Sequence, residues 1–241
     1  MKSHHGIALI QVLLITAILS VLALYLTQTA KEQVSIALWG DDKSQALVEV
    51  HSVESNLLFT LLTEKKEYPL ENRNQENEIV KLWNFHGQEF SVTDGVTIKI
   101  QDLSGLLSAY RPNEKLLNRI FIQQGDEVSK ANTIVSNLLD WQDLDSISRS
   151  GSSEIRLNGE PVRNGKVADV HEFSFIDGVS PDKLTLLNEV TSLYTQAIFN
   201  PVVAPRHILS ALFYIEEISP DVLEQVLSLR VEGQLTPKIF S

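Results

Sequence analysis

The sequence predicts an α+β chain: a long N-terminal α-helix packed on a small antiparallel sheet, with a large and mostly helical insertion. Three observations predict it. Residues 7–26 are twenty consecutive positions without a formal charge. Leu47, Val50, Val53, Leu57, Leu58, Leu61 and Leu62 recur at three- and four-residue steps, which is an amphipathic helix stripe. Two short alternating runs then flank Asp94-Gly95, a hairpin signal, and helix formers dominate from Leu103 onward.

The uncharged run comes first. At 1.5 Å rise per residue it spans roughly 30 Å, the thickness of a bilayer's hydrocarbon core. A secretory signal peptide has a shorter apolar run followed by a small-residue cleavage site. Here the run is longer and the small residue, Gly6, precedes it. On the residues alone, a plain signal anchor and a leader cut after Gly6 both stand. Gln11, Thr16 and Ser20 can bond within the helix or to neighbouring helices. Lys2, with His4 and His5, is the only basic feature before the run, and Lys31 is balanced by Glu32 after it. That gives a slight preference for the N-terminus inside and the C-terminus outside.

Residues 27–66 contain no proline and only one glycine, Gly40. With the apolar run they predict one helix of about 60 residues, about 90 Å long. Gly40-Asp41-Asp42 is where a kink or break is expected. Residues 67–77 are polar and contain a proline, so they read as a loop. Residues 79–85 are mostly apolar, with Trp83 and Phe85 alternating. Strands are expected at 89–92 and 96–100, with helices near 113–123 and 126–139. Pro112 near the start of the first helix and Gly125 after its end follow the usual asymmetry. A second block repeats the plan: Phe199-Asn200-Pro201, a helix over 205–213, Ser219-Pro220 opening a helix to Arg230, then Gly233. Both blocks read as strand end, helix, short turn, helix, an internal repeat of helix–hairpin–helix type.

Some hairpins of that type bind nucleic acid through glycine-rich basic turns. Here the turns are Gln123-Gln124-Gly125-Asp126-Glu127 and Glu216-Glu217-Ile218-Ser219-Pro220, and the chain's net charge is −11. Acidic turns repel phosphate, so no nucleic-acid partner is expected and protein–protein packing is the default. There is no cysteine, which excludes disulfides and thiolate metal sites.

Four features together resemble one family. The first is the start: a short leader ending in Gly6, then Ile7, then an unbroken apolar helix, similar to a type IV prepilin or type II secretion pseudopilin. The second is Ile100-Gln101-Asp102-Leu103-Ser104-Gly105, a strand end with a glycine turn. The third is Leu139-Asp140-Trp141-Gln142-Asp143-Leu144-Asp145, followed by Gly151-Ser152-Ser153-Glu154. The fourth is Phe199-Asn200-Pro201-Val202-Val203-Ala204-Pro205, leading into an apolar helix. In this order and spacing they resemble general secretion pathway protein K, the large minor pseudopilin of the type II secretion system. The chain departs from the family at Leu106-Leu107-Ser108 and at Val202 and Val203, where asparagine and threonine are usual. It also lacks the aromatic pair expected soon after Glu154, and reads as a divergent, short member.

The resemblance implies a pilin-like fold and a division of the chain. Residues 1–6 are the prepilin leader, 7–26 the transmembrane helix, and 27–66 its amphipathic continuation. Residues 67–102 are a pilin-like β region, 103–198 the helical insertion, and 199–241 a second helical hairpin with a C-terminal pilin-like segment. It implies that a prepilin peptidase cuts after Gly6 and methylates Ile7. Most members carry glutamate at the fifth mature position, here Gln11. An acid at that depth costs roughly 2.5–3.5 kcal/mol on insertion, and in the family a neighbouring subunit's N-terminal amine offsets it. Gln11 cannot make that pair, which fits a terminal subunit.

Asp140, Asp143, Asp145 and Glu154 place four carboxylates within 15 residues. Calcium takes six to eight oxygen ligands, several of them anionic and on a flexible loop, and residues 146–153 are such a loop. The resemblance implies calcium in the inserted helical domain, and this is where it places the ion. Asp169, Glu172 and Asp177 are candidates to complete the site. The spacing is not that of an EF-hand, and a solvated acidic turn is the other reading. No enzyme is expected. Histidines 4, 5, 51, 86, 171 and 207 are scattered, and no nucleophile elbow or phosphate-binding glycine loop is present.

The function implied is structural: a subunit at the tip of a periplasmic pseudopilus, initiating or capping its assembly for protein export. The partners implied are other minor pseudopilins, the prepilin peptidase and the bacterial inner membrane, crossed once with the C-terminal domain in the periplasm. Two alternatives stand beside it, a minor pilin of a type IV pilus and a membrane-anchored periplasmic binding or sensor domain.

Overall fold

One helix takes up the first quarter of the chain. In the computed structural model, α1 runs unbroken over His5–Thr63, 59 residues. The structure describes residues 5–66, 76–194 and 198–235, and of residues 5–8 the backbone alone. The expected leader positions 1–4, the expected loop at 67–75 and positions 236–241 of the C-terminal segment lie outside the described residues. The chain divides into two compact units. One is residues 1–62 with 93–96, and the other is residues 63–92 with 97–241.

In the first unit the hydroxyls of the apolar run turn back onto their own helix. Thr16 Oγ1 donates to the Leu13 carbonyl at 2.9 Å and Ser20 Oγ to the Thr16 carbonyl at 2.8 Å. Each hydroxyl is thereby satisfied without water. The break expected at Gly40-Asp41-Asp42 is absent. Ser44 Oγ donates to the Gly40 carbonyl at 2.8 Å, and Gln45 Nε2 donates to Asp41 Oδ2 at 3.1 Å. Helical residues on both sides carry the turn across a glycine, whose intrinsic penalty is only about 1 kcal/mol. The apolar stripe is also buried less than expected. Val53 and Thr60 are buried and Leu57 half-buried, whereas Leu47, Leu58 and Leu62 are 50%, 54% and 86% exposed. The hairpin tip, residues 93–96, belongs to this unit, and Gly95 lies against the Glu49 side chain.

In the second unit, residues 79–82 of the expected β region are helical. α2, Glu78–Leu82, starts at Asn77, whose side chain accepts from the N–H groups of Ile79 and Val80. This cap outweighs the apolar alternation that follows. Trp83 and Phe85 then pack ring on ring at 5.2 Å. The expected hairpin is present as β1, His86–Thr93, and β2, Val96–Gln101. After a 3-10 turn at Leu103–Gly105 comes β3, Leu107–Ser108. The first helical hairpin follows, α3 at Glu114–Gln123 and α4 at Val128–Asp140. α5, Pro181–Val190, opens at a Ser180 cap and leads into β4, Thr191–Ser192. β4 pairs in parallel with β3, Leu107 opposite Thr191. The second hairpin is α6, Arg206–Ile215, and α7, Pro220–Val231. α3 packs on both α4 and α6. Leu117, Ile120, Phe121, Ile134, Leu138, Ile208 and Leu209 form the centre of this core, each 1% exposed or less.

The internal repeat is real in hydrogen bonds. At the end of α3, the N–H groups of Gln124, Gly125 and Asp126 donate to the carbonyls of Ile120, Ile122 and Phe121. Ninety-two positions later, the N–H groups of Glu216, Glu217 and Ile218 donate to the carbonyls of Leu212, Tyr214 and Phe213. Each is the crossed pair that ends a helix in a left-handed residue. Gly125 takes that place in the first hairpin (φ 96°) and Glu217 in the second (φ 56°). A non-glycine there costs roughly 1–2 kcal/mol.

Two of the sequence motifs meet at a junction. Gln101 Nε2 donates to the Val203 carbonyl at 2.9 Å, and the Asn200 N–H donates to the Ser104 carbonyl at 2.8 Å. Gly105 lies so close that a Cβ would sit 2.5 Å from the Val203 carbonyl oxygen and 2.7 Å from the Ala204 nitrogen. Arg230 closes the far side, donating from Nη1 to the Ala204 carbonyl at 2.9 Å and from Nη2 to the Pro201 carbonyl at 3.2 Å. Backbone cannot yield as a flexible side chain does. Gly105→Ala is therefore expected to lower stability by about 1–3 kcal/mol, read as a fall in thermal midpoint, and an unchanged midpoint would show that the junction is loose.

Candidate functional site

Two regions carry the residues singled out by sequence. The first is the apolar part of α1. Among the described residues it is the one helix long and apolar enough to cross a membrane, by length and composition. Its side chains are exposed on every face: Leu13, Leu14, Ile15, Ile18, Leu22 and Tyr25 are each half exposed or more. A helix apolar all round has no water-facing side and needs lipid or other helices about it. Gln11 lies exposed within this stretch, as do Ala17 and Ser20. Gly6 and Ile7 are in the first turns of the helix. Beyond the uncharged run, Val34, Ile36, Leu38 and Trp39 are also exposed.

The second region is the acidic loop after α4. Asp140 is the last residue of that helix and is fully buried. A carboxylate there faces the negative end of the helix dipole, so its environment has to supply positive partners. Arg149 supplies most of them. Its Nη1 donates to Asp140 Oδ1 and also to Asp143 Oδ2, and its backbone N–H donates to Asp140 Oδ2 at 3.0 Å. Ser152 Oγ donates to Asp140 Oδ2 as well. The two carboxylates hold the guanidinium charged, against the desolvation that opposes it. Asp145 faces elsewhere, accepting from the Ile147 N–H at 2.9 Å.

Glu154 is left over. Both its oxygens are shielded from solvent without a well-formed hydrogen bond, as are Asp143 Oδ1 and Asn164 Oδ1, and the Asn164 side chain is near enough to favour its charged form. Desolvation first, and then the charges of Asp140, Asp143 and Asp145, push the Glu154 carboxyl above its ordinary value. Asp169, Glu172 and Asp177 do not join this group. Asp169 accepts from the His171 N–H at 2.7 Å, Glu172 pairs with Arg163, and Asp177 Oδ2 accepts from the Leu157 N–H at 2.7 Å.

Free oxygens of this kind suit a hard cation. Nevertheless, among the described residues no three His, Asp or Glu side chains gather to hold a metal ion. Of the four carboxylates that the sequence reading named as calcium candidates, Asp140 and Asp143 converge on Arg149, and Asp145 and Glu154 do not share that contact. The residue that reading passed over is Arg149. An arginine inside a run of four carboxylates was the available signal, with Ser152 beside it.

No family model matches the chain, and no curated protein does. Among solved structures, the chain is similar to one from the GspK-GspI-GspJ complex of the enterotoxigenic Escherichia coli Type 2 Secretion System. The identity is 19% and the TM-score 0.46, and the match covers 72% of this chain and 68% of that one. At that identity and score, nothing about this chain's function follows from the likeness.

The position of Glu154 has a pH signature. Its folded-state value is raised, so the folded chain holds the proton more tightly than the unfolded chain does. Its unfavourable contribution is absent below the ordinary value of 4.5 and grows as pH rises through the raised one. Glu154→Gln is expected to raise the thermal midpoint at neutral pH and to match the unsubstituted chain below about pH 4. A midpoint lowered at neutral pH would mean that the carboxylate has a partner worth keeping.

Proposed function

We propose that the chain is a minor pseudopilin of a type II secretion system. It sits at the tip of a periplasmic pseudopilus and starts or caps its assembly for protein export. The observation that carries this reading is α1: one unbroken helix with Gly6 in its first turn, followed at once by a run that is uncharged and apolar on all faces. A membrane sensor needs only a span of about 20 residues. Here the same helix continues for more than 30 residues with apolar side chains still exposed, which suits packing between subunits.

The mechanism has three steps. Residues 7–26 hold the precursor in the bacterial inner membrane, with the C-terminal domain in the periplasm. Packing of that helix with other minor pseudopilins, through Gln11 and the small residues Ala8, Ala17 and Ser20, forms the first complex. The bulky helical domain then blocks addition of a further subunit above it. Gln11 supports the terminal position, because a tip subunit has no subunit above it whose amine an acid would neutralise.

The chain has no cysteine, so a single introduced one reports its neighbours cleanly. Ala17→Cys, co-expressed with other minor pseudopilins carrying cysteines at matching depth, is expected to yield hetero-dimers on mild oxidation. A chain that cross-links to none of them and stays monomeric in detergent would favour the sensor reading. Cross-linking to the minor pilins of a type IV pilus alone would move the subunit to that machine.

A further inference from the structure

We infer that Arg149 is the resident cation of the acidic loop, so that residues 140–154 close without a divalent metal. The inference concerns the loop alone and does not depend on pseudopilus assembly.

Asp140 makes a cation necessary. It is fully buried at the carboxyl end of α4, and an unpaired buried charge costs several kcal/mol. A calcium ion in the loop would take these same carboxylate oxygens among its six to eight donors. Three of them are already committed, while Asp143 Oδ1 and both Glu154 oxygens are not. Asp140 Oδ1 accepts from Arg149 Nη1, and Asp140 Oδ2 accepts from the Arg149 N–H and from Ser152 Oγ. The same Nη1 reaches Asp143 Oδ2. One guanidinium nitrogen thus bridges two carboxylates, as a bound ion would bridge them. Its own backbone N–H returns to the first, so the loop folds back on the helix end. A metal bound to these oxygens would have to displace the Arg149 guanidinium from both carboxylates.

The turn that places Arg149 is built from the chain itself. Ser152 Oγ also donates to the Arg149 carbonyl at 2.9 Å, and the Ser152 N–H donates to the same carbonyl at 3.1 Å. Arg149 is therefore held on both sides of its Cα. Farther along, the Glu154 N–H donates to Ser148 Oγ at 3.2 Å. The loop is laced through short serine and aspartate bonds.

The test uses the full chain in detergent. Its thermal midpoint is expected to be the same in millimolar calcium and in excess chelator, and elemental analysis after dialysis against calcium is expected to find less than one ion per chain. Arg149→Gln is expected to lower the midpoint by roughly 4 °C or more, and added calcium is expected to restore part of that loss. The inference is overturned if chelator lowers the midpoint of the unsubstituted chain, if calcium binds it stoichiometrically, or if Arg149→Gln melts like the unsubstituted chain. Where Arg149→Gln does not fold, the chelator and elemental measurements on the unsubstituted chain decide alone.

Discussion

Twenty consecutive residues with no charge are costly to leave in water, and that constraint governs the first unit. Their hydroxyls bond to their own helix, as Thr16 and Ser20 do. Their apolar side chains have no cover within the described residues. Lipid or other helices about the run satisfy both facts. The helix does not stop where the charges begin. It runs on past Gly40 to Thr63 as one element. As one element of about 90 Å it is a stiff rod, which a broken helix would not be.

The second unit solves a different problem. It contains two helical hairpins of the same design and little sheet. Its core is helix on helix, α3 against α6, and the two hairpins end their first helices through the same set of hydrogen bonds. Continuity between them and β2 comes from the junction of Gln101, Ser104 and Gly105 with Asn200, Val203 and Ala204. Four residues thereby serve one purpose. The glycine permits backbone contact, the glutamine and asparagine make it specific, and Arg230 satisfies the carbonyls left over.

Much of this was legible in sequence because the signals are local. Asn113 and Ser219 cap the helices that follow them, Pro220 opens one, and Gly125 closes another. Asp94-Gly95 marks the hairpin turn. What escaped was long-range or subtle. β3 and β4 have two residues each and pair across more than 80 positions, so no window contains both. The hairpin repeat was visible, but Glu217 in a left-handed turn hid its equivalence to Gly125. Gly40 looked like a break because a glycine and two aspartates are poor helix formers; the helices on either side outweigh them. Arg149 was missed for another reason. In sequence Asp140 and Asp143 are simply two nearby carboxylates, and only the geometry puts the arginine between them.

The central claim is that α1 begins life as a processed pseudopilin helix. Mass spectrometry of the mature N-terminus, after co-expression with a prepilin peptidase, tests it most directly. The account predicts a chain that starts at Ile7 and carries one added methyl group. A chain that keeps Met1 through Gly6 in the presence of active peptidase would contradict it.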